Sequence, residues 1–208
     1  MLAIAGGKGG CGKTTVALGV AQALGTMGRR PLVVDTDRDM PNLHHRAGVD
    51  PTPGIDDITS ATGPTAVAQR AATVENVDVL PCQTASAAAI GSALDSLSRC
   101  DRPVLLDCPA GAGPDTARPL RAADRTVLVS EPRRQSLTDT AKTAAMARML
   151  DAPPVLTVLV SSDGSVDPSN LLSCPRTVHI PAVSRPLASD LTTPKYIDIA
   201  NVLTKRNT

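Results

Sequence analysis

The sequence has almost no aromatic side chains. Phe and Trp are absent, and Tyr196 is the only Tyr in 208 residues. Because single-stranded nucleic acids are usually held by stacking their bases on aromatic rings, this composition argues against that mode of binding. The hydrophobic core must be built from Ala, Val, Leu, Ile and Met.

Paired cysteines and long apolar runs are also missing. The five cysteines are odd in number and form no C-x-x-C motif, so neither a disulfide framework nor a zinc knuckle is indicated. No apolar run approaches the roughly 20 residues of a membrane span. We expect a cytoplasmic protein that is neither secreted nor integral to a membrane, with peripheral attachment to a membrane or the nucleoid left open.

The chain has no strong charge of either sign. Its 21 basic and 20 acidic residues give a net charge of +1, so the field of the whole molecule favours neither nucleic acid nor an anionic bilayer. Such a partner would need a local patch. One candidate patch for non-specific DNA consists of arginines that could equally be solvated surface residues: Arg121, Arg125, Arg133, Arg134 and Arg148.

Short, nearly continuous apolar runs alternate with helical patterns along the whole chain. Such runs are typical of strands that are covered on both faces, and the alternation with helices indicates repeated βαβ units. We expect a single α/β domain over residues 1–208, doubly wound, with helices on both faces of a mostly parallel sheet. About seven strands are predicted, at residues 2–5, 32–35, 77–80, 103–107, 126–130, 155–160 and 177–180.

Residues that typically start or stop helices, and segments rich in turn-forming residues, predict the helix boundaries and loops. The first helix starts near Lys13 and stops at Gly28, and another starts at Ser136 with Asp139 as its capping partner. Residues 38–64 and 161–176 are predicted to be surface loops. The last segment places one apolar stripe on a helix, for packing on the sheet or for a membrane surface: Tyr196, Ile199, Ala200 and Leu203.

The most specific motif follows the first strand. Gly7 to Thr14 reads G-K-G-G-C-G-K-T and matches the phosphate-binding loop G-x-x-x-x-G-K-[ST]. Glycines let successive backbone N–H groups face an anion beside a helix N-terminus. Lys13 is predicted to reach the β- and γ-phosphates, Thr14 to bind Mg²⁺, and Thr15 to bind the α-phosphate. The predicted ATP-binding loop comprises Gly7, Lys8, Gly9, Gly10, Cys11, Gly12, Lys13, Thr14 and Thr15.

Carboxylates stand at the ends of two predicted strands. Asp35 and Asp37 close the second strand, and Asp107 closes the fourth. Ligands of open α/β sheets collect at the carboxyl ends of the strands, and an apolar strand ending in Asp is the arrangement that holds Mg²⁺ through water. The sequence therefore predicts a magnesium and nucleotide site at one edge of the sheet.

The extra Lys8 makes the loop more specific than a phosphate loop alone. The form K-G-G-x-G-K-T-T resembles the deviant loop of the MinD/ParA family of ATPases. The D-x-D of Asp35 and Asp37 resembles the same family, as does the N-L pair at Asn42 and Leu43. The segment D-C-P-A-G, with Gly111, is similar to the D-x-P-A-G switch of MinD-like members. The resemblance covers roughly residues 1 to 150.

That resemblance implies a Mg²⁺-dependent ATPase that forms a homodimer around ATP. By it, Lys8 crosses the dimer interface and assists hydrolysis in the partner, and Asp37 orients or deprotonates the attacking water. Asp35 supports the magnesium shell and the Gly111 N–H senses the γ-phosphate. Hydrolysis would then time the release of a partner or surface in positioning or partitioning, under the control of a protein regulator.

One departure and two alternatives stay open. Where the family has an N-R pair for adenine, this chain has Ser161, Ser162 and Asp163, so ATP rather than GTP rests on the resemblance. Cys11 and Cys108 raise the alternative of an ATP-dependent scaffold or metal-centre carrier. A small-molecule phosphotransferase on the same loop is another. The three histidines, His44, His45 and His179, lack metal-ligand spacing.

Overall fold

A computed structural model describes residues 1–59, 61–83 and 85–205. Its centre is an eight-stranded sheet with the order β3-β4-β2-β5-β1-β6-β7-β8. The strands are β1 (Leu2–Gly6), β2 (Leu32–Asp35), β3 (Gln69–Arg70), β4 (Asp78–Leu80), β5 (Val104–Ala110), β6 (Arg125–Ser130), β7 (Pro154–Val160) and β8 (Thr177–Ile180).

The seven predicted strands all form and pair in parallel. The count of seven was one short, because β3 pairs antiparallel with β4 at the edge of the sheet. With two residues, β3 is too short to show an apolar run or an alternation. The Gln69 side chain ties it to the preceding loop by donating to the carbonyl oxygens of Asp50 and Pro53.

Eight helices accompany the strands in the described part of the chain. They are α1 (Lys13–Thr26), α2 (Leu43–Ala47), α3 (Pro64–Val67), α4 (Ala87–Leu97), α5 (Pro114–Ala122), α6 (Arg134–Met149), α7 (Ser169–Leu172) and α8 (Thr193–Thr204). The first helix begins where predicted. It ends just before Gly28, whose φ of 74° suits a glycine after a helix.

The predicted start of α6 was wrong by two residues. Ser136 does not cap the helix, because its hydroxyl lies 2.9 Å from that of Ser130 and accepts the backbone N–H of Glu131. The two predicted loops also carry short helices: residues 38–64 contain α2 and a 3-10 turn at Ile55–Asp57, and residues 161–176 contain α7. These turns are too short for a helical period to stand out in the sequence.

Apolar clusters lie on both faces of the sheet, which confirms the doubly wound α/β class. One cluster joins α1 and α8 to the strands, and another joins α4 and α5 to the opposite face. In α8 the whole predicted stripe is buried in the first cluster. This confirms that the stripe packs against the protein. None of the described helices has the length and apolar character needed to cross a bilayer.

Candidate functional site

The sheet topology brings the predicted acidic residues and the phosphate loop to one place. β1 lies between β5 and β6, and β5 lies between β1 and β2. Asp35 and Asp107 are register partners on adjacent parallel strands, at the edge where the loop leaves β1. An open cleft of about 180 Å³ occupies this edge, and its walls include Lys13, Thr14, Asp37 and Asp107.

The glycines of the loop serve two different purposes. Gly10 and Gly12 have φ of 74° and 90°, a conformation that side chains rarely tolerate. A Cβ at Gly9 or Gly10 would meet nothing within 4 Å, so this part of the backbone faces the open cleft. A Cβ at Gly7 would lie 2.1 Å from the Asp139 carbonyl carbon in α6. The first glycine of the motif therefore provides close packing.

Four of the predicted ATP-binding residues do not line the phosphate cleft, namely Gly7, Lys8, Cys11 and Gly111. The Gly7 N–H donates to Thr140 Oγ1 at 3.3 Å, so it is directed to α6. The Cys11 side chain is buried with its Sγ 3.6 Å from the carbonyl oxygen of Val129. Burial raises the pKa of this thiol. The positions of Gly7 and Cys11 indicate that both residues fix the shape of the loop.

The two loop lysines occupy different environments. Lys13 is only 8% exposed, and its Nζ donates to the Lys8 carbonyl oxygen at 3.2 Å, inside the loop. The Lys8 side chain is 51% exposed, with its Nζ 3.6 Å from Glu131 Oε2 at the end of β6. A buried cation that faces the loop suits phosphate binding within the chain. The exposed amine of Lys8 is accessible from outside.

Asp35 organises the segment that follows β2. Its Oδ1 accepts the Asp37 N–H at 3.0 Å, and its Oδ2 accepts the N–H groups of Asn42 and Leu43 at 3.1 Å each. Both carboxylate oxygens are thus engaged by backbone donors, and the predicted support of a magnesium shell stays a prediction. We call residues 36–42 the switch segment, because Asp35 holds both of its ends.

Asp107 is a buried acid with an unused acceptor. It is 3% exposed, and its Oδ1 has no hydrogen-bond partner among the described residues. Burial raises the pKa of its carboxyl group, and the neighbouring Thr14 hydroxyl and Lys13 ammonium offset only part of that effect. The pKa of Asp35 is also raised, by burial first and by the charge of Asp107 second. Two buried carboxyls side by side favour binding of a cation.

The Gly111 N–H is not free in this structure. It donates to the Gly6 carbonyl oxygen at 3.0 Å, and the Gly111 carbonyl oxygen accepts Thr143 Oγ1 at 3.1 Å. A positive φ of 87° explains the need for glycine. The predicted contact with a γ-phosphate would require the bond to Gly6 to break first.

A second pocket adjoins the phosphate loop and suits a nucleotide base. It measures about 160 Å³ and shares Gly10, Gly12 and Thr15 with the cleft. Aliphatic side chains and prolines form part of the walls of this base pocket: Val160, Ile180, Pro181, Ala182, Val183 and Pro186. The segment after β8 forms much of it, and sequence reasoning missed this segment. The cluster of Pro181 and Pro186 next to an apolar strand was the available signal.

The lone aromatic residue also belongs to this region. Tyr196 of α8 lines the base pocket and is 3% exposed. Its ring lies on Gly19 of α1, where an added Cβ would come within 2.5 Å of the ring. The aliphatic walls of the base pocket are therefore supplemented by one phenol ring.

Other candidate residues have structural surroundings. Arg125 and Arg148 donate to backbone carbonyl oxygens of Leu203 and Leu172, which gives two arginines of the predicted patch a packing role. In the described residues, no three His, Cys, Asp or Glu side chains are grouped as metal ligands. Burial strongly raises the pKa of the Cys108 thiol, so it is protonated at neutral pH.

Comparison with known proteins decides the family. Residues 2–165 match the model of the CobQ/CobB/MinD/ParA nucleotide binding domain. The chain belongs to this family. An uncharacterised ATP-binding protein of Methanocaldococcus jannaschii is 31% identical over 159 residues, which cover 72% of this chain and 59% of that protein. The chain thus spans about six-tenths of the length of this curated relative.

Solved structures of MinD proteins share the whole fold of this family member. The cell division ATPase MinD of Pyrococcus furiosus has a TM-score of 0.78 and 26% identity, with 97% of each chain covered. MinD of Pyrococcus horikoshii, solved with Mg-ADP, has a TM-score of 0.77 and 25% identity over 98% of this chain and 95% of that one. The MinD/ParA type of P-loop fold is therefore confirmed, and these relatives support binding of a nucleotide with Mg²⁺.

Proposed function

We propose that this chain is a Mg²⁺-dependent ATPase that dimerises on ATP and uses hydrolysis as a switch in spatial positioning or partitioning. One observation carries the proposal. The site has two lysines, of which Lys13 is buried against the loop and Lys8 projects from it with half of its side chain exposed. An exposed amine beside a phosphate cleft is accessible to a second molecule.

The residues present fit ATP and Mg²⁺. The open backbone at Gly9 and Gly10 leaves room for phosphate oxygens, and Lys13 supplies a fixed positive charge. Asp107 and Thr14 line the same cleft, and the buried Asp107 Oδ1 has no partner among the residues that the structure describes. This carboxylate oxygen and the Thr14 hydroxyl are oxygen ligands of the kind that Mg²⁺ prefers. When bound there, Mg²⁺ would neutralise and orient the β- and γ-phosphates.

The chain's own residues would act on the phosphates as follows. Loop N–H groups and Lys13 bind the β- and γ-phosphates, and Thr15 binds the α-phosphate. Asp37, half-buried at the cleft, orients or deprotonates the attacking water. Lys8 of one copy leaves Glu131 and stabilises the charge on the transferring phosphoryl group of the partner, where such a cation accelerates related reactions by about 10³ to 10⁵.

Replacing Lys8 tests the proposal. We expect Lys8→Ala to lower ATP turnover by about 10³-fold while ATP binding changes little, because the amine acts on the partner's transition state. Lys142→Ala is a matched control, since Lys142 is also an exposed lysine, paired with Asp139 on α6. Turnover and nucleotide affinity would be measured for all three proteins. Unchanged turnover in Lys8→Ala would refute the mechanism.

Dimerisation needs its own measurement. Small-angle scattering or sedimentation with a non-hydrolysable ATP analogue should show a dimer, and ADP should return the chain to a monomer. A chain that stays monomeric with the analogue would contradict the proposal.

The surface on which such a switch works is a further part of the proposal. We expect a cytoplasmic protein whose ATP-bound form attaches to a membrane or to non-specific DNA and is released by a regulator of hydrolysis. Septum site-determining protein MinD and sporulation initiation inhibitor Soj of Bacillus subtilis, 27% and 29% identical, support a regulatory role. Co-sedimentation with liposomes and with DNA, each with and without ATP, distinguishes the two surfaces.

A metal-centre carrier is the second candidate. The observation in its favour is the 28% identity to an iron-sulfur cluster carrier protein of Methanococcus maripaludis, over 80% of this chain and 61% of that protein. A visible absorption band in anaerobically purified protein would support this role. A colourless protein that does not take up iron and sulfide would count against it.

A further inference from the structure

A hydrogen bond links the phosphate-loop helix to the switch segment across the cleft. The Thr14 hydroxyl, in the first turn of α1, donates to Asn42 Oδ1 at 2.8 Å. Asn42 is the residue before α2, and its side chain does not cap that helix. The amide oxygen is therefore directed at the predicted magnesium ligand and away from its own helix.

Asp107 stands beside this pair. Thr14, Asn42 and Asp107 line the same cleft. Asp107 is almost completely buried, and its Oδ1 receives no hydrogen bond from a described residue. A buried carboxylate oxygen without a donor is costly, so the site favours the arrival of a positive charge. The cleft thus presents three oxygen-bearing side chains, and the buried carboxylate of Asp107 favours binding of a cation there.

The spacing of the oxygens suits Mg²⁺. Its ligands lie at about 2.1 Å in octahedral geometry, so neighbouring ligand oxygens are roughly 3 Å apart. The 2.8 Å between Thr14 Oγ1 and Asn42 Oδ1 is close to that spacing. Resting on the proposed function, we propose that Asn42 contributes its amide oxygen to the Mg²⁺ site formed with Thr14 and Asp107.

Asn42 would also transmit metal binding to the switch segment. Its own N–H and that of Leu43 donate to Asp35 Oδ2, and the N–H of Met40 donates to Asp37 Oδ1. Fixing the Asn42 side chain by a metal therefore orders the segment that carries Asp37. In this way the metal positions the residue that acts on water, and Asn42 connects the two.

Magnesium affinity tests this role without any need for hydrolysis. Mg²⁺ would be titrated into protein saturated with fluorescent N-methylanthraniloyl-ADP, for wild type, Asn42→Ala, Asn42→Asp and Asn201→Ala. We expect Asn42→Ala to weaken Mg²⁺ about 10-fold or more, and Asn42→Asp to strengthen it several-fold because a charged oxygen replaces a neutral one. Asn201 is exposed on α8, so Asn201→Ala should match wild type.

The direction in which Asn42→Asp changes the Mg²⁺ affinity separates a metal-ligand role of Asn42 from a purely structural one. If Asn42 only accepts the Thr14 hydrogen bond, an Asp would accept it equally and Mg²⁺ affinity would not rise. An unchanged or tighter Asn42→Ala, or an Asn42→Asp no tighter than wild type, overturns the inference. Binding of the labelled ADP without Mg²⁺ should be equal in all four proteins, which checks that each variant is folded.

Hydrogen exchange provides a second measurement. Mg²⁺ added with ADP should slow amide exchange at His44–Ala47 in wild type and leave Asn42→Ala nearly unchanged. An equal response in both proteins overturns the coupling. If wild type itself ignores Mg²⁺, the proposed function fails together with this inference. If wild type responds and the variant does so equally, only the inference fails.

Discussion

The two ends of the parallel strands differ in how their buried charged groups are hydrogen-bonded. We call the end that carries the phosphate loop the carboxyl edge and the opposite end the amino edge. At the carboxyl edge, Asp107 is buried beside Asp35, and its Oδ1 has no hydrogen-bond partner in the described part of the chain. At the amino edge, Arg102 is also mostly buried, yet it donates to the carbonyl oxygens of Arg30 and Pro31 and to Asp78. At the carboxyl edge a buried carboxylate oxygen lacks a donor among the described residues, whereas at the amino edge the buried guanidinium of Arg102 has three acceptors.

Cavity size alone would have selected the wrong edge. The cavity at the amino edge measures about 470 Å³, more than the phosphate cleft and the base pocket together. Several of its charged groups are engaged within the protein: the Met1 ammonium pairs with Asp124, and Arg125 donates to the Leu203 carbonyl oxygen. The volume of a cavity is therefore a poorer guide to the site than three other features. These are a buried charge that lacks a donor among the described residues, backbone that faces open space, and the convergence of strand ends.

The largest effect on stability is expected at Gly7, the glycine of the phosphate loop that packs against α6. Gly7→Ala places a methyl group against the backbone of α6 and should lower the free energy of unfolding by about 3 kcal/mol or more. Gly9→Ala meets open space and should change stability by less than about 1 kcal/mol while weakening ATP binding. Urea unfolding and nucleotide titration would compare them. Equal destabilisation would contradict this division of the loop.

Replacing Arg102 tests the amino edge, where the buried charge is hydrogen-bonded. Arg102→Ala leaves Asp78 with only the more exposed Arg70, at 3.4 Å, and removes bonds to two carbonyl oxygens. A loss of about 2 to 3 kcal/mol in unfolding free energy is expected, with ATP affinity unchanged. Thermal unfolding and nucleotide titration measure both quantities. A variant with weakened ATP binding would show that the two edges are not independent.

Asp107→Asn should raise the free energy of unfolding, whereas Arg102→Ala should lower it. The pKa of Asp107 is raised in the folded state, so its ionised form opposes folding at neutral pH and the neutral amide relieves that cost. We expect a gain of about 1 to 2 kcal/mol for the nucleotide-free chain, together with loss of Mg²⁺ binding. The gain should shrink as pH falls from 7 to 5, because the wild-type carboxyl then takes up a proton. Unfolding at two pH values measures this, and destabilisation at pH 7 would refute it.

The smallest effect is expected at an exposed ion pair on the surface of α6. Lys142→Ala removes an ion pair with Asp139 in which the lysine is 65% exposed. Solvent screening limits the change in unfolding free energy to less than about 0.5 kcal/mol. A loss above 1 kcal/mol in thermal unfolding would show that α6 is held by its surface charges.

Sequence reasoning was strongest where chemistry requires particular residue types. The order of strands and helices, the phosphate loop and the acids at the strand ends followed from apolar runs and motif spacing. It could not foresee individual contacts. The Gly7 N–H is directed to Thr140 of α6, 133 residues away in the sequence. The backbone donors to Asp35 depend on the conformation of the residues that follow it, which no residue pattern specified. The antiparallel β3 was missed because two residues are too few to show an apolar run or an alternation.

The contact of Tyr196 with Gly19 has a consequence for how the last helix is altered. Since one ring both rests on α1 and borders the base pocket, α8 forms a wall of that pocket as well as part of the core. Truncation before Thr193 would remove this wall along with its support. A methyl group at position 19 would press on the ring from behind, so a change outside the pocket would alter the space inside it.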